Sequence, residues 1–370
     1  MISLYVHLPF CLKKCEYCDF ESHPGRLMEL DAYIDRVLGE ARLSRAEYGN
    51  ETLYSAYFGG GTPSLMSPEQ LKRLAGGLFE IFPPEENAEI TLEANPGAVS
   101  EALLRQAIAS GVNRLSLGLQ AAQDRLLKLL GRVHTAREAA EAVDMARSSG
   151  FQNISLDTML ALPSQTADEL TRTLEYAARL GAEHISCYSL ILEEGTPLYN
   201  RVRRGELTLP DEEEARFMQL SAADTLESLG YHRYEISNYA KPGRESRHNI
   251  VYWTGGEYLG LGAAAHSYMR GERFLNPNLD RYMAGQRHLE RESVDAAGRL
   301  EETLLLETRL TRGIDLNKFE RAYGSEAKQK LLRRARPYAQ YIVVSNDFLR
   351  FNAEGLMVHS ALVAELASAF

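Results

Sequence analysis

Three cysteines lie close together near the start of the sequence, in the stretch HLPFCLKKCEYCDF. They are Cys11, Cys15 and Cys18, at C-x3-C-x2-C spacing. Structural zinc sites usually take four protein ligands, because an open position adds reactivity and no stability. A [4Fe-4S] cubane held by three cysteines keeps one iron free to bind a small molecule. The spacing therefore favours an iron–sulfur cluster. A zinc site completed by His7 or Asp19 and a disulfide stand as alternatives.

The same spacing, followed by an aromatic residue, resembles the cluster loop of the radical S-adenosylmethionine (SAM) enzymes. This resemblance implies that the three cysteines hold a [4Fe-4S] cluster and that its free iron binds the amino and carboxylate groups of SAM. The fourth cysteine, Cys187, lies in the apolar run HISCYSLIL. We expect it to be a buried strand residue, since unpaired cysteine behaves as a small apolar side chain.

Short β-rich runs alternate with amphipathic helical stretches over residues 1–230. Strands are predicted at 4–7, 53–58, 90–94, 114–119, 154–160 and 184–192. The intervening helices show one apolar face, as at Leu30, Ile34 and Val37. Units of this kind require parallel strands joined by right-handed crossovers. Their number favours a partial (β/α)6 barrel, the α/β fold that the radical SAM resemblance also implies, over a doubly wound sheet.

In both architectures ligands bind at the carboxyl ends of the parallel strands. The cysteine loop follows the first predicted strand, and the segment FGGGTPS follows the second. Its glycines remove side chains where a ligand must approach the backbone. Radical SAM enzymes use such a GGGTP segment to hold the amino group of SAM, so the resemblance implies this role for Gly60, Gly61 and Thr62.

Charged and amide side chains follow at later strand ends, where each alone is an ordinary strand-end or helix-cap residue. Together these motifs resemble the coproporphyrinogen dehydrogenase-like branch of the radical SAM proteins, from Tyr5 to about residue 270. The resemblance implies that SAM is contacted by Tyr5, Tyr17, Gly60, Gly61, Thr62, Glu93, Gln120, Arg132 and Asp157. In MLALPSQT, Ala161 replaces a glycine that is usual in the branch, which is expected to tighten the turn.

Two functions occur in this branch: oxidative decarboxylation of coproporphyrinogen III, and haem delivery by the HemW-type chaperones. The dehydrogenases have a further cysteine where this chain has Phe20, and an N-terminal extension, whereas this sequence starts ten residues before Cys11. Both features favour a haem chaperone without coproporphyrinogen oxidase activity. The alternatives are an oxygen-independent coproporphyrinogen III dehydrogenase or another radical SAM enzyme, because every type of SAM-contacting residue is retained.

The stretch HNIVYW combines His248, Asn249, Tyr252 and Trp253. It provides an imidazole for iron, an amide to orient it, and flat apolar surface for a porphyrin. The stretch resembles the H-N-x-x-Y-W haem-binding motif of the HemW-type proteins, so haem is the implied ligand. An aromatic loop packed on the barrel is the alternative, and His266 in GLGAAAHSY is a candidate second ligand.

The strand–helix alternation stops after about residue 230 and gives way to glycine-rich, irregular sequence. Three helices, a hairpin in QYIVVSNDFLRF and a last helix follow, which predicts a small winged-helix-like domain. We therefore expect a barrel over 1–230, an irregular α+β connecting segment with the haem motif over 231–298, and a C-terminal domain over 299–370.

Composition limits the partners and the compartment. The 370 residues carry a net charge of −10, which gives no electrostatic footprint for nucleic acid. A thiolate cluster without paired cysteines indicates a reducing compartment. The first apolar run is too short for a membrane span, and its charges follow it rather than precede it as in a signal peptide. We expect a cytoplasmic protein whose partners are haem and haem-acceptor proteins, with peripheral membrane contact only through those acceptors.

Overall fold

The computed structural model describes residues 1–49 and 51–370. The strands are β1 (Ile2–Leu8), β2 (Phe10–Cys11), β3 (His23–Pro24), β4 (Leu53–Gly60), β5 (Pro84–Ala94), β6 (Arg114–Gln120), β7 (Ile154–Leu160), β8 (His184–Ser189), β9 (His232–Arg233), β10 (Asn238–Ala240), β11 (Tyr258–Leu261), β12 (His266–Met269), β13 (Glu272–Leu275), β14 (Glu290–Ser293), β15 (Ile314–Asp315), β16 (Ile342–Val344) and β17 (Phe348–Phe351). The helices are α1 (Leu30–Tyr48), α2 (Pro68–Ile81), α3 (Glu101–Ala109), α4 (Asp124–Leu129), α5 (Ala136–Ser148), α6 (Ala167–Arg179), α7 (Pro197–Arg203), α8 (Glu212–Ser228), α9 (Arg247–Trp253), α10 (Leu279–Met283), α11 (Ala296–Glu307), α12 (Leu316–Ala335), α13 (Ala353–Met357) and α14 (His359–Ala367). No described helix combines the length and the apolar composition that crossing a bilayer requires.

The predicted strands form the centre of one large sheet. They are β1, β4, β5, β6, β7 and β8, which pair in parallel and lie side by side in chain order. A doubly wound sheet would reverse direction at a switch point, so the unbroken order confirms the (β/α)6 arrangement. All the carboxyl ends therefore meet at one edge, where the predicted motif residues lie.

Local sequence determines where the crossover helices begin. Ser67, Thr135 and Thr166 each cap a helix, and each forms a capping box with the Gln or Glu three residues later. Such caps satisfy backbone N–H groups that have no partner within the helix. The predicted apolar face of α1 is buried, as Ile34 and Val37 show. Capped helices on a strand framework hold the loops at the carboxyl edge in place.

The segment 231–298, predicted as an irregular α+β segment, adds strands to both edges of the sheet. At one edge β10 pairs antiparallel with β8, and at the other β11 pairs parallel with β1 and continues into β12, β13 and β14. Each of the added strands has only two to four residues, so the sequence indicated an α+β segment without showing how its strands pair. The main hydrophobic core runs from Ile2 to Tyr282, so most of this segment packs with the barrel.

The last part of the chain has its own hydrophobic core, from Leu300 to Leu366. The predicted hairpin is confirmed as β16 and β17, which form a three-stranded sheet with β15. Two predicted helices lie within α12, which is interrupted at Gly324 by a φ of 88°. The predicted last helix is divided into α13 and α14. The result is a small unit of helices and a short sheet.

Candidate functional site

The three clustered cysteines line a cavity of about 330 Å³ at the carboxyl edge of the barrel strands. Cys11 is buried, and Cys15 and Cys18 are half-buried. The Thr62 hydroxyl donates to Cys11 Sγ over 3.4 Å, and Arg132 Nη1 donates to Cys15 Sγ over 3.6 Å. Burial raises the pKa of the Cys11 and Cys18 thiols. A cationic iron centre would offset this cost and keep the thiols ionised.

The donor set fits a three-cysteine cluster better than a lone zinc ion. His7 and Asp19, the candidates for a fourth zinc ligand, line a different cavity. Both ring nitrogens of His7 are also hydrogen-bonded, Nδ1 to the Tyr5 hydroxyl at 3.0 Å and Nε2 to the Glu21 carbonyl at 2.8 Å. Among the residues described, no three His, Cys, Asp or Glu side chains converge closely enough to hold a single metal ion. Three thiols facing a roomy cavity suit a cubane, which is larger than one ion.

Eight of the nine predicted SAM contacts line this same cavity. They are Tyr17, Gly60, Gly61, Thr62, Glu93, Gln120, Arg132 and Asp157. Tyr5 is the exception, because its side chain lines the second cavity described below. The barrel strands therefore bring together residues that are widely separated in sequence.

Glu93 is a half-buried carboxyl group in the wall of the first cavity. The Tyr57 hydroxyl donates to Oε1 over 2.7 Å, and the Gly60 N–H donates to Oε2 over 3.1 Å. Burial raises the pKa of Glu93 to about 7, and the nearby Asp157 carboxylate adds to the shift. This carboxyl group therefore changes charge near neutral pH, unlike an exposed glutamate.

Asp157 and Gln120 are held by residues that the sequence analysis did not select. Asp157 accepts hydrogen bonds from Ser186 Oγ at 2.8 Å and from Ser116 Oγ at 3.3 Å. Gln120 has a φ of 65° and accepts from the Tyr188 hydroxyl over 3.1 Å. Positive φ in a non-glycine residue is typical of strained backbone at functional sites. The sequence signal that could have found Ser116, Ser186 and Tyr188 is the alternation of side chains along a strand, because every second residue faces the same side of the sheet.

The protein's own packing requires glycine at Gly60, the last residue of β4, and at Gly61, which follows it. A Cβ at Gly60 would lie 2.5 Å from the His7 ring, and φ there is 105°. A Cβ at Gly61 would lie 2.6 Å from the Phe10 carbonyl oxygen. These contacts seat the GGGTP segment directly against the cysteine loop. Its backbone reaches the cavity wall as a consequence of that packing.

A second cavity, of about 620 Å³, adjoins the first, and the exposed ring of Phe20 lines both. Its wall is largely aromatic, and its principal residues are Tyr5, Phe20, Tyr252, Trp253, Tyr258, Tyr268, His266 and Leu306. Within the described part of the chain, the buried Nε1–H of Trp253 has no hydrogen-bond partner. The packing around the indole encloses this donor, so the ring faces and edges of Trp253, and not its N–H, are what it offers to the cavity.

The HNIVYW stretch forms the short helix α9, and its residues face different surroundings. Tyr252 and Trp253 line the second cavity, whereas Asn249 lines the first. His248 is only 1% exposed. Its Nδ1 is hydrogen-bonded to Ser55 Oγ at 2.8 Å and its Nε2 to the Tyr252 hydroxyl at 2.8 Å. The four motif residues are therefore not brought together around one ligand, and in this structure His248 has no free nitrogen for iron.

The C-terminal unit closes one side of the second cavity. Leu306 of α11 lines it, and the Arg309 guanidinium lies 4.2 Å from the centre of the Trp253 ring. Arg309 also pairs with the fully buried Glu235 at 3.2 Å. Trp253 is thus held between the barrel and the C-terminal unit, an arrangement that its sequence neighbours do not indicate.

Cys187 lies outside both cavities. It is 4% exposed in β8, and burial raises the pKa of its thiol to about 12. The expectation of a buried strand cysteine is confirmed.

Comparison with known proteins agrees with this arrangement. Residues 5–177 match the Radical SAM superfamily, and residues 294–358 match the HemN C-terminal domain. The chain is 38% identical to the heme chaperone HemW of Bacillus subtilis over 331 residues, which cover 88% of this chain and 87% of that protein. It is 34% identical to the heme chaperone HemW of Haemophilus influenzae over 377 residues, covering 98% and 97%.

Among solved structures, coproporphyrinogen III oxidase (HemN) from Escherichia coli, a radical SAM enzyme, has the same fold. The TM-score is 0.84, over 100% of this chain and 90% of that chain. The sequences are 22% identical, so this likeness concerns the fold alone. The cysteine loop, the barrel, the C-terminal unit and the near-full-length relatives lead to one conclusion: the chain belongs to the HemW family of the radical SAM superfamily.

Proposed function

We propose that this chain is a haem chaperone, which binds a [4Fe-4S] cluster and SAM in the first cavity and haem in the second, and passes the haem to acceptor proteins. The observation that carries the proposal is the second cavity. It is aromatic and large, and it is built partly from the HNIVYW motif. The relatives named as heme chaperones support the same assignment.

In the first cavity, Cys11, Cys15 and Cys18 would hold the cluster. A reduced cluster and SAM together supply one-electron chemistry when both are bound. The chain's own residues provide the polar surroundings of SAM. Glu93 and Asp157 offer carboxyl oxygens as acceptors, and the Arg132 guanidinium lies beside the Cys15 sulfur. The family resemblance implies that these side chains contact SAM through hydrogen bonds.

In the second cavity, the aromatic side chains provide flat apolar surface that matches the faces of a porphyrin. Burial of apolar area contributes roughly 25 cal/mol per Å², so several rings around one macrocycle give substantial affinity. Haem and its acceptor proteins are the proposed partners. A cytoplasmic location, expected from the thiolate cluster, is part of this proposal.

Oxidation of coproporphyrinogen III is the second candidate, because residues 294–358 match the HemN C-terminal domain and the branch that the sequence resembles includes this activity. We expect this activity to be absent. Phe20 stands where the dehydrogenases have an additional cysteine, and its ring is 64% exposed between the two cavities. An apolar ring at this point replaces a possible thiol ligand with a wall of the proposed haem site.

The test is a pair of measurements on one sample. The protein is reconstituted anaerobically with iron and sulfide, titrated with haem, and assayed with coproporphyrinogen III, SAM and a reductant. We expect saturable haem binding, transfer of the haem to an apo-haem protein added as acceptor, and no protoporphyrinogen IX. Absence of haem binding, or sustained formation of protoporphyrinogen IX, would overturn the proposal.

A further inference from the structure

Three histidines lie in or beside the second cavity, and two of them already use both ring nitrogens in hydrogen bonds within the protein. His7 uses both ring nitrogens, for the Tyr5 hydroxyl and the Glu21 carbonyl. His248 uses both of its own, for Ser55 and Tyr252. Each is less than 5% exposed. Neither can bind iron without breaking a buried hydrogen bond, which costs about 1 to 3 kcal/mol for the group left unpaired.

His266 differs from both. It begins strand β12, its side chain is exposed, and it lines the second cavity. Among the hydrogen bonds between described residues, its ring nitrogens take part in none. The surrounding strand pairing holds its backbone in place, since His266 pairs with Leu275 across β12 and β13. A histidine ligand needs one ring nitrogen that no protein group already occupies, and His266 offers such a nitrogen on an ordered backbone.

We propose that His266 is the haem-iron ligand of the second cavity and that His248 is a positioning residue, which holds Tyr252 against the porphyrin. This inference rests on the proposed haem binding and names the residue that ligates the iron. It assigns the ligand to the GLGAAAHSY stretch and gives the HNIVYW motif the role of an apolar wall.

The chemistry of the other donors in the cavity favours the same choice. Burial raises the pKa of the Tyr5, Tyr252 and Tyr258 phenols, so each resists the deprotonation that iron ligation requires. Burial lowers the pKa of His266, and the Arg273 guanidinium lowers it further. The imidazole is therefore neutral near pH 7, which is its metal-binding form.

The role of His248 follows from its contacts. Its Nε2 holds the Tyr252 hydroxyl, and its ring stacks on Tyr57 with 5.3 Å between the ring centres. Tyr57 in turn donates to Glu93 in the first cavity. Loss of His248 frees Tyr252 to move and leaves iron ligation in place.

The experiment compares His266→Ala, His248→Ala and, as a matched control, His232→Ala in the cluster-loaded full chain. His232 is an exposed strand histidine near the opposite edge of the sheet, paired with Glu245. Ferric and ferrous haem spectra and haem affinity are recorded for each variant. Cluster content and circular dichroism establish that each variant is folded. His266→Gln is the substitute if the alanine variant does not fold.

We expect His266→Ala to shift the Soret and visible bands and to weaken haem binding about tenfold or more, the usual scale for disturbing a metal site. His266→Gly with added imidazole should regain the wild-type spectrum. His248→Ala should weaken binding and keep the wild-type band positions. His232→Ala should match wild type in both measurements.

The outcomes separate the two proposals. If wild-type protein binds no haem, the proposed function fails. If it binds haem and His266→Ala keeps the wild-type spectrum and affinity, haem binding stands and His266 is not the ligand. A spectral change in His248→Ala that imidazole reverses would assign the iron to His248, with Tyr252 and Ser55 rearranged.

Discussion

SAM binding should depend on pH through Glu93. The pKa of this carboxyl is raised from 4.5 to about 7, chiefly by burial. Its proposed role is to accept hydrogen bonds from SAM, and only the ionised carboxylate offers both oxygens as acceptors. SAM therefore binds to protein in which Glu93 is ionised. For a pKa of about 7, this fraction is about 9% at pH 6 and about 91% at pH 8.

The expected effect follows from these fractions. The apparent affinity scales with the population of the competent form. SAM should therefore bind about tenfold more weakly at pH 6 than at pH 8, a difference of about 1.4 kcal/mol. A glutamate with the ordinary pKa of 4.5 is almost fully ionised at both pH values, so the affinity would change by only about 3%.

The measurement is equilibrium dialysis of labelled SAM with cluster-loaded protein under anaerobic conditions, at several pH values. Glu93→Gln should remove most of the dependence, because the amide does not titrate and can still accept from Tyr57. The amino group of SAM titrates equally with both proteins, so the comparison cancels its effect. Glu101→Gln, on the exposed first turn of α3, is the control and should behave as wild type. An equal pH dependence in wild type and Glu93→Gln would refute the reasoning.

The same group affects stability with the opposite sign. Its folded-state pKa lies above its unfolded-state value of 4.5, so the folded protein binds more protons between pH 4.5 and about 7. Stability is therefore full below 4.5 and falls as pH rises through about 7, by about 3 kcal/mol in total. Urea unfolding without SAM should show this decline in wild type, and a smaller decline in Glu93→Gln.

Three further predictions concern the cluster, a strained turn and the aromatic cavity. Replacing any one of the three loop cysteines with alanine should abolish the [4Fe-4S] cluster, while Cys187→Ala should leave iron and sulfide content unchanged; one zinc per chain without sulfide in elemental analysis would contradict the cluster assignment. Ala161 has a φ of 58°, which costs a non-glycine residue about 1 to 2 kcal/mol. In urea unfolding, Ala161→Gly should therefore be at least about 1 kcal/mol less destabilising than Ala102→Gly on the exposed face of α3. Equal losses of stability in the two variants would show that the turn is not strained. Trp253→Ala should weaken haem binding about tenfold through lost apolar contact and keep the wild-type band positions; a shifted Soret band would instead place the indole near the iron coordination sphere.

The sequence by itself determined the barrel and the cysteine loop. Period-2 and period-3.6 patterns are local, so the six strands and helices such as α1 could be predicted from short windows. The cysteine spacing is local as well, and a family resemblance then pointed to polar residues at each strand end. Eight of the nine predicted SAM contacts line one cavity, because parallel strands bring their carboxyl ends to one edge.

Only the tertiary structure decided the surroundings of each side chain. His248 and His266 are both histidines in aromatic, glycine-rich sequence. Ser55 of β4 hydrogen-bonds the ring of His248, whereas the side chain of His266 on β12 is exposed. The pKa of Glu93 depends on burial and on Tyr57, Gly60 and Asp157, which come from two different strands, β4 and β7. Hydrogen-bond partners, desolvation and cavity walls arise from contacts between residues far apart in sequence, so no local pattern could reveal which imidazole remains free.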